Sequence, residues 1–310
     1  MYFMKTIIIL YSLVLLFSLK LVAQQDPMVS QYMFNGLYLN PAYAGSHDYW
    51  TSTINYRNQW VGIEGAPKTA ILSVDGPIAF KKMGLGFTVM RDKIGVTTQH
   101  AFTANYAYQL RINTTTKFAF GANVGFSQFS SKLTQLVVWD NDKVFQNDLT
   151  SKVLPKFGAG VYLFSKNYYA GLSIPTLFAY QKGIDFNLDL SRSSFLRRHY
   201  LLTAGYVFGA SERIKLKPSF LLKYVEHAPM QIDLNLSAVW KDKYWIGFSY
   251  RSGDAALVIL EYQTGSNFRV GYAYDLTVSK LRNYSSGSHE IMVGIDFGKA
   301  LIKVKTPRYF

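Results

Sequence analysis

The side chains that could do chemistry are few in this 310-residue chain, and they do not gather. There is no cysteine, which removes thiolate metal sites, disulfides and Cys nucleophiles. His47, His100, His199, His227 and His289 stand apart, with no HExxH and no His pair at helical spacing. No GxSxG sets a serine on a strand-to-helix elbow. Gly84-Leu-Gly86 and Gly158-Ala-Gly160 are glycine-rich, but neither opens a helix after a strand, so neither is a phosphate cradle. The sequence therefore points to no catalytic residue, no cofactor and no metal ligand. What remains is a scatter of charges inside otherwise apolar segments: Arg57, Lys223, Asp233, Glu261, Arg269, Glu290 and Asp296. Their meaning depends on the elements that carry them.

Those elements repeat every second residue, the period of a β-strand. Over Ala101–Leu110, Phe102, Ala104, Tyr106, Tyr108 and Leu110 share one face, and Thr103, Asn105, Ala107 and Gln109 share the other. Lys117–Ser127 and Met230–Trp240 alternate in the same way. About fourteen such segments are spaced along the chain, near 49–58, 68–76, 83–91, 98–110, 115–129, 156–165, 168–176, 199–209, 213–225, 230–240, 244–252, 255–264, 268–275 and 288–298. Most have the length of a tilted bilayer-crossing strand, and the count is even, as in single-chain outer-membrane barrels. Tyr49, Trp50, Tyr168, Tyr169, Trp240, Tyr244 and Trp245 stand at strand ends, where interfacial girdles lie. The expected fold is all-β: a single transmembrane antiparallel β-barrel with a short N-terminal periplasmic or plug segment. A soluble sandwich is the alternative, but it would have to hide that many apolar faces between two sheets. Pro175 and Pro218, inside strands seven and nine, call for a bulge, because a closed barrel has no edge to tolerate a missing N–H. Gly84, Gly86, Gly121, Gly125, Gly158, Gly160 and Gly205 either make room inside for a guest segment or relieve curvature as the sheet closes.

Residues 1–23 read as a signal peptide, with Lys5 before the apolar run Thr6–Phe17 and Ala23 as the cleavage residue; a membrane anchor is the alternative. Losing Lys5 and Lys20 lowers the net charge from +14 to +12. Residues 24–46 form an N-terminal segment, 47–298 the barrel and 299–310 a C-terminal periplasmic tail. Short connections (111–114, 166–167, 210–212, 241–243, 265–267) alternate with long ones (132–155, 178–198, 276–287), and short turns face the periplasm in such barrels. The positive excess then collects at the periplasmic rim, on Lys81, Lys82, Arg111, Lys117, Lys166, Arg213, Lys215, Lys217, Lys241 and Lys243, and on Lys299, Lys303, Lys305 and Arg308 of the tail. Such a rim suits lipid phosphates or an acidic partner, while nucleic acid is not expected, because the charges ring one end and follow no groove. Trp139, Phe145, Phe178, Tyr180, Phe186 and Phe195 make the two longest outer loops unusually apolar, either as partner contacts or as a lid packed on itself.

Residues 24–46 neither alternate nor repeat. Asp26-Pro27 or Ser30 is placed to cap a short helix through Asn35, Asn40-Pro41 to break it, and Ala44-Gly45 to turn the chain into the first strand. Gln25-Asp26-Pro27, then Ser30-Gln31-Tyr32-Met33-Phe34-Asn35, then Asn40-Pro41-Ala42-Tyr43-Ala44-Gly45-Ser46 resembles the opening of the PorP/SprF family, outer-membrane proteins of the Bacteroidetes type IX secretion system. Tyr56-Arg57-Asn58-Gln59-Trp60 and Gly65-Ala66-Pro67-Lys68-Thr69 are similar to its next block, and Pro307-Arg308-Tyr309-Phe310 to its ending. The stretch 130–200 carries no family motif.

The resemblance implies a non-enzymatic accessory barrel in the outer membrane. It implies that a cognate large secreted surface protein, often an adhesin, is engaged through its C-terminal domain, so that its export and surface attachment are supported, in gliding bacteria for motility. Other type IX secretion components and outer-membrane lipid are the further partners it implies. Two alternatives come from other classes: an open porin or transporter, and a barrel enzyme such as a lipase with a site assembled from distant strands.

Overall fold

A computed structural model describes residues 27–78, 82–136, 147–150, 153–179, 198–209, 211, 213–225, 228–264 and 267–298. Fourteen long strands follow one another: β1 (Trp50–Asn58), β2 (Lys68–Ile78), β3 (Met83–Ile94), β4 (Thr97–Arg111), β5 (Lys117–Ser131), β6 (Leu154–Phe164), β7 (Tyr168–Ala179), β8 (His199–Tyr206), β9 (Ile214–Val225), β10 (Gln231–Trp240), β11 (Tyr244–Arg251), β12 (Ala255–Gln263), β13 (Phe268–Thr277) and β14 (Ser288–Phe297). Each pairs antiparallel with the next, and β1 pairs with β14 from Trp50↔Phe297 to Asn58↔His289, which closes the barrel. Two two-residue stretches extend the ladder, Leu149–Thr150 on β5 and Phe208–Gly209 on β9. All fourteen expected strands are present, with ends moved by a few residues.

Closure follows from the alternation. In β11 the outward residues Tyr244, Ile246, Phe248 and Tyr250 are exposed, and the inward Trp245, Gly247, Ser249 and Arg251 are buried. The same pattern puts Ile54, Leu72, Phe87, Phe120, Leu172, Leu236, Leu260 and Ile291 on the outside. An apolar outer face with polar groups turned to the lumen is the solution lipid imposes, because a closed sheet leaves no backbone group unpaired in hydrocarbon. No helix among the described residues is long and apolar enough to cross a membrane. A charge placed on this face should therefore be costly. Phe248 is 62% exposed between Leu236 and Val258. Phe248→Arg is expected to lose roughly 2–4 kcal/mol near the bilayer centre, read as a lowered denaturation midpoint in vesicles and less folded barrel in the membrane fraction.

The prolines interrupt the ladder in two different ways. Between Phe157↔Phe178 and Ala159↔Ile174 the β6–β7 register shifts, so Pro175 sits in a bulge. Pro218 causes no shift. The pairs Ser219↔Gly205 and Leu216↔Phe208 keep one register across the gap at Val207, whose N–H goes instead to the Asn167 carbonyl at 2.7 Å. The missing proline N–H costs a rung and leaves the alignment intact.

The mouths differ as the loop lengths require. One carries only short turns. There Lys241 and Asp242 both have positive φ, 53° and 55°, the conformation of a two-residue hairpin turn whose twist matches its strands. Lys241 lies over Trp240 at 4.6 Å, and Lys215 pairs with Asp242 at 2.7 Å. The opposite mouth carries 59–67, 132–136, 278–287 and the facing ends of β7 and β8. Within it Thr134 donates from its hydroxyl (2.8 Å) and its N–H (3.1 Å) to Asp148, and these bonds hold that carboxyl below its usual range.

Two expectations, covering four side chains, need correction. Lys217 is not on the rim: it is 1% exposed, inside the barrel, 5.4 Å from the Tyr169 ring and 5.5 Å from Trp245. Tyr49, Tyr169 and Trp245 are not girdle residues but buried ones. Neighbours on a strand face opposite ways, so of Tyr168-Tyr169 and Tyr244-Trp245 only the first of each pair can reach the interface. The outer aromatic belt runs instead through Tyr206, Trp240, Tyr244 and Tyr262, with Tyr244 and Tyr262 stacked at 5.0 Å.

Candidate functional site: a lumen filled by the N-terminal segment

Residues 28–46 lie inside the barrel, and nearly all of them are buried. The expected helix through Asn35 is absent. A single 3-10 turn at Tyr32–Phe34, a helical turn at Gly36–Leu39 and a second 3-10 turn at Pro41–Tyr43 stand in its place. Ser30 does not cap, because its groups are taken by strand carboxylates. Asn40 does: its Oδ1 accepts the Ala42 N–H at 2.9 Å, and the helical turn ends at Leu39, where Asn40-Pro41 was expected to break the helix. Gly45, at φ +66°, makes the turn toward β1.

Near the short-turn mouth the contacts are close approaches of main chain to glycine. A Cβ on Gly84 would overlap the Ala44 carbonyl, and one on Gly121 would overlap the Ala42 nitrogen. Gly160 makes way for the Asn40 side chain, and Gly86 for Leu37, whose methyls would stand 2.8 Å from an added Cβ. Hydrogen bonds lock this end. Gln109 Nε2 donates to the Gly45 carbonyl at 2.6 Å, Gly45 N–H to Asp75 at 3.0 Å, Asn40 Nδ2 to the Val161 carbonyl at 2.9 Å, and Ser173 Oγ to the Leu39 carbonyl at 2.6 Å. In mid-lumen Asn35 donates to Asn55 at 3.0 Å, Phe34 meets Trp245 edge-on at 5.4 Å, and Asn235 donates to the Tyr32 hydroxyl at 2.6 Å.

Toward the long-loop mouth the grip is ionic. Arg57 on β1 reaches Asp275 on β13 at 2.7 Å and Glu290 on β14 at 3.4 Å. Arg251 joins through Asp233 at 2.9 Å, Asp275 at 3.5 Å and Asp254 at 3.5 Å. The segment completes this cluster. Ser30 N–H and Gln31 N–H donate to the two Glu290 oxygens at 2.6 and 3.0 Å. Ser30 Oγ donates to Asp275 at 2.7 Å and accepts from Arg57 Nη1. A second cluster, Arg269 with Glu261 (3.9 Å), Asp296 (3.6 Å) and Thr51 (3.2 Å), sits nearer the short-turn mouth. Ions this deeply buried hold only where their remaining lone pairs and protons find partners.

All seven charges singled out in the sequence lie on the inner wall, each 5% exposed or less. Arg251, Asp275 and Asp75 were missed, although strand parity alone would have placed them inside. Of the N-terminal motif, Pro27, Gln31, Tyr32, Asn35, Asn40, Pro41, Tyr43 and Gly45 are brought together in the lumen, while Gln25 and Asp26 lie outside the described residues. So do residues 1–23, expected to be a signal peptide, and Trp139, Phe145, Tyr180, Phe186, Phe195, Lys299, Lys303, Lys305 and Arg308; Phe178 is described by its backbone alone. Among the described residues no three His, Asp or Glu are placed to hold a metal ion.

A family model described as type IX secretion system membrane protein PorP/SprF matches residues 21–295. The chain belongs to this family. As a PorP/SprF protein it is an outer-membrane β-barrel component of type IX secretion, and family and fold together point to a non-enzymatic role. Comparison with curated proteins gave no match. Solved structures similar to this PorP/SprF chain include a KdgM porin (11% identity, 80% of this chain and 99% of that chain covered, TM-score 0.35). They also include Omp33 of Acinetobacter baumannii (8%, 80% and 98%, TM-score 0.46) and a Pseudomonas aeruginosa FadL homologue (11%, 83% and 93%, TM-score 0.45).

Proposed function

We propose that this PorP/SprF barrel is a docking component: it engages a cognate large secreted surface protein through that protein's C-terminal domain, supports its export and keeps it attached at the cell surface, for gliding where the cell glides. The observation that carries this reading is the lumen occupied by the chain's own residues 28–46. A barrel so filled offers its recognition surfaces at its mouths. The long-loop mouth, which in outer-membrane barrels faces outward, is the side on which a surface protein would be held. The apolar residues assigned above to its two longest loops would be the anchors, since aromatics carry most interface energy. The periplasmic rim, with Lys299, Lys303, Lys305 and Arg308, would face the other secretion components.

Affinity purification from the native outer membrane tests this directly. Recovery of one very large secreted protein is expected, with its yield lost when Trp139 and Phe145 become serine while barrel folding is unchanged. Recovery of the barrel alone, from cells exporting their surface proteins, would overturn the reading. A steady ion current through the purified barrel in a planar bilayer would favour the porin instead.

A further inference from the structure

Where β2, β3 and β4 reach the long-loop mouth, the outer face of the barrel turns from apolar to basic. Lys68 on β2 stands directly opposite Lys93 on β3, and the next outward pairs set Arg91 on β3 between Ala70 on β2 and His100 on β4. Lys68, Arg91, Lys93 and His100 are all exposed, on the outward parity of their strands. Like charges placed opposite each other destabilise a sheet, and the chain supplies nothing to relieve them. Asp92, between Arg91 and Lys93, points into the lumen, where it accepts the Thr69 hydroxyl at 2.6 Å. Glu64 in the β1–β2 loop is exposed, and neither it nor Lys68, Arg91 or Lys93 makes an ion pair among the described residues. The concentration is local: on β9, β11 and β13 the last outward residues before this mouth are Tyr224, Tyr250 and Leu276.

We propose that this face binds the phosphorylated sugar headgroup of an outer-leaflet glycolipid. The surroundings of the cations select a lipid. On the bilayer side of Arg91, Leu72, Phe87 and Val89 are exposed, and Phe87, Phe102 and Phe126 stack in a row with centroids 6.3 and 5.6 Å apart. That wall is where acyl chains would lie. On the loop side, Lys68 and Lys93 line an open pocket of about 360 Å³ together with Asn58, Trp60 and Glu64. Its volume is that of a small-molecule site, and its mixed polar lining suits a sugar. Phosphate would sit between the two layers. There Lys68 and Lys93 give it point charges, and the Arg91 guanidinium gives it a planar fork, with Ala70 opposite too small to cover it. An anion held there also removes the repulsion between the two lysines. The site rests on the outer-membrane placement of the barrel with its long loops outward, and it is independent of the docking role proposed above.

Titrating the folded barrel with lipid A, read by native mass spectrometry in mild detergent, tests this. A cation beside an anionic headgroup is worth about five-fold in affinity. The combined variant Lys68→Gln, Arg91→Gln, Lys93→Gln should therefore bind on the order of a hundred-fold more weakly than the wild type. Lys215→Gln with Lys241→Gln, at the opposite mouth, should bind as the wild type does. Lipid A stripped of its phosphates should bind the wild type no better than intact lipid A binds the combined variant. In neutral phosphatidylcholine vesicles that variant should be at least as stable as the wild type, because the Lys68–Lys93 repulsion is gone; weaker binding then has no origin in misfolding. Equal affinity of the wild type and the combined variant would overturn the proposal, as would equal loss in the opposite-mouth variant or equal binding of the dephosphorylated lipid. Displacement of the lipid by an equal concentration of inorganic phosphate would overturn it too, since the site would then hold a bare anion.

Discussion

Replacing Gly84 with valine is expected to empty the lumen without unfolding the barrel. An added Cβ there meets the Ala44 carbonyl, which is main chain and has no rotamer to yield. The segment cannot slide away, because Gly45 already stands against Gly84, with an ideal Cβ on Gly45 only 2.6 Å from the Gly84 Cα. The strand, by contrast, welcomes valine: Gly84 pairs with Pro77 and Ala107 in a regular ladder, and β-branched residues favour that setting. Overpacking of this kind costs roughly 1–3 kcal/mol, enough to shift a seated-to-unseated balance by about ten-fold or more. In planar bilayers the wild type should stay closed and Gly84→Val should conduct. In vesicles a protease should cut within residues 28–46 of the variant only. Gly209→Val, where an added Cβ meets nothing within 4 Å, is the control and should behave as wild type. A closed, protected Gly84→Val barrel would mean that the segment is not held as described.

Arg57→Met should give the largest loss of stability. Arg57 is 2% exposed and holds two carboxylates of 1% and 0% exposure, Asp275 and Glu290, with Ser30 between them. Removing the cation leaves those charges buried, and Arg251, 3.5 Å from Asp275, is the remaining counter-ion within ion-pair range among the described residues. Breaking a buried pair in this way costs roughly 3–5 kcal/mol. Denaturant unfolding in lipid vesicles would show it as a lowered midpoint. Arg57→Lys should recover only part, since an ammonium cannot reproduce the fork that reaches Asp275 and Glu290 together. The half-exposed pair Lys215–Asp242 is the yardstick: Lys215→Met should cost no more than about 1 kcal/mol. Equal losses at the two sites would remove the buried cluster from any account of stability.

The barrel was legible because lipid and lumen demand opposite chemistry from alternate residues. That rule found the fourteen long strands of the described residues, on whose inner wall Arg57, Lys223, Asp233, Glu261, Arg269, Glu290 and Asp296 lie. It failed where position along the chain was weighed above parity. Lys217 lies close to a turn and was read as rim, yet it shares a face with Ser219 and Leu221. The glycines show what no local rule can tell. Gly84, Gly86, Gly121 and Gly160 make room for the N-terminal segment, whereas Gly125 meets the Phe102 carbonyl and Gly158 the Pro175 carbonyl, both of the sheet itself. In the sequence the two sets look alike. Residues 24–46 were expected at the periplasmic mouth or as a plug; what the sequence could not show is how they are held, since Ser30 finds Glu290 and Asp275, 260 and 245 residues away, and main-chain contacts with glycine leave no side-chain signature.

Arg57 and Glu290 face each other in register across the β1–β14 pairing, the seam where the first strand meets the last. From that seam Glu290 accepts the N–H groups of Ser30 and Gln31 as well as the Arg57 guanidinium. One carboxylate thus ties the last strand to the first and grips the cork, so the seam of the cylinder and the stopper inside it share a fastening.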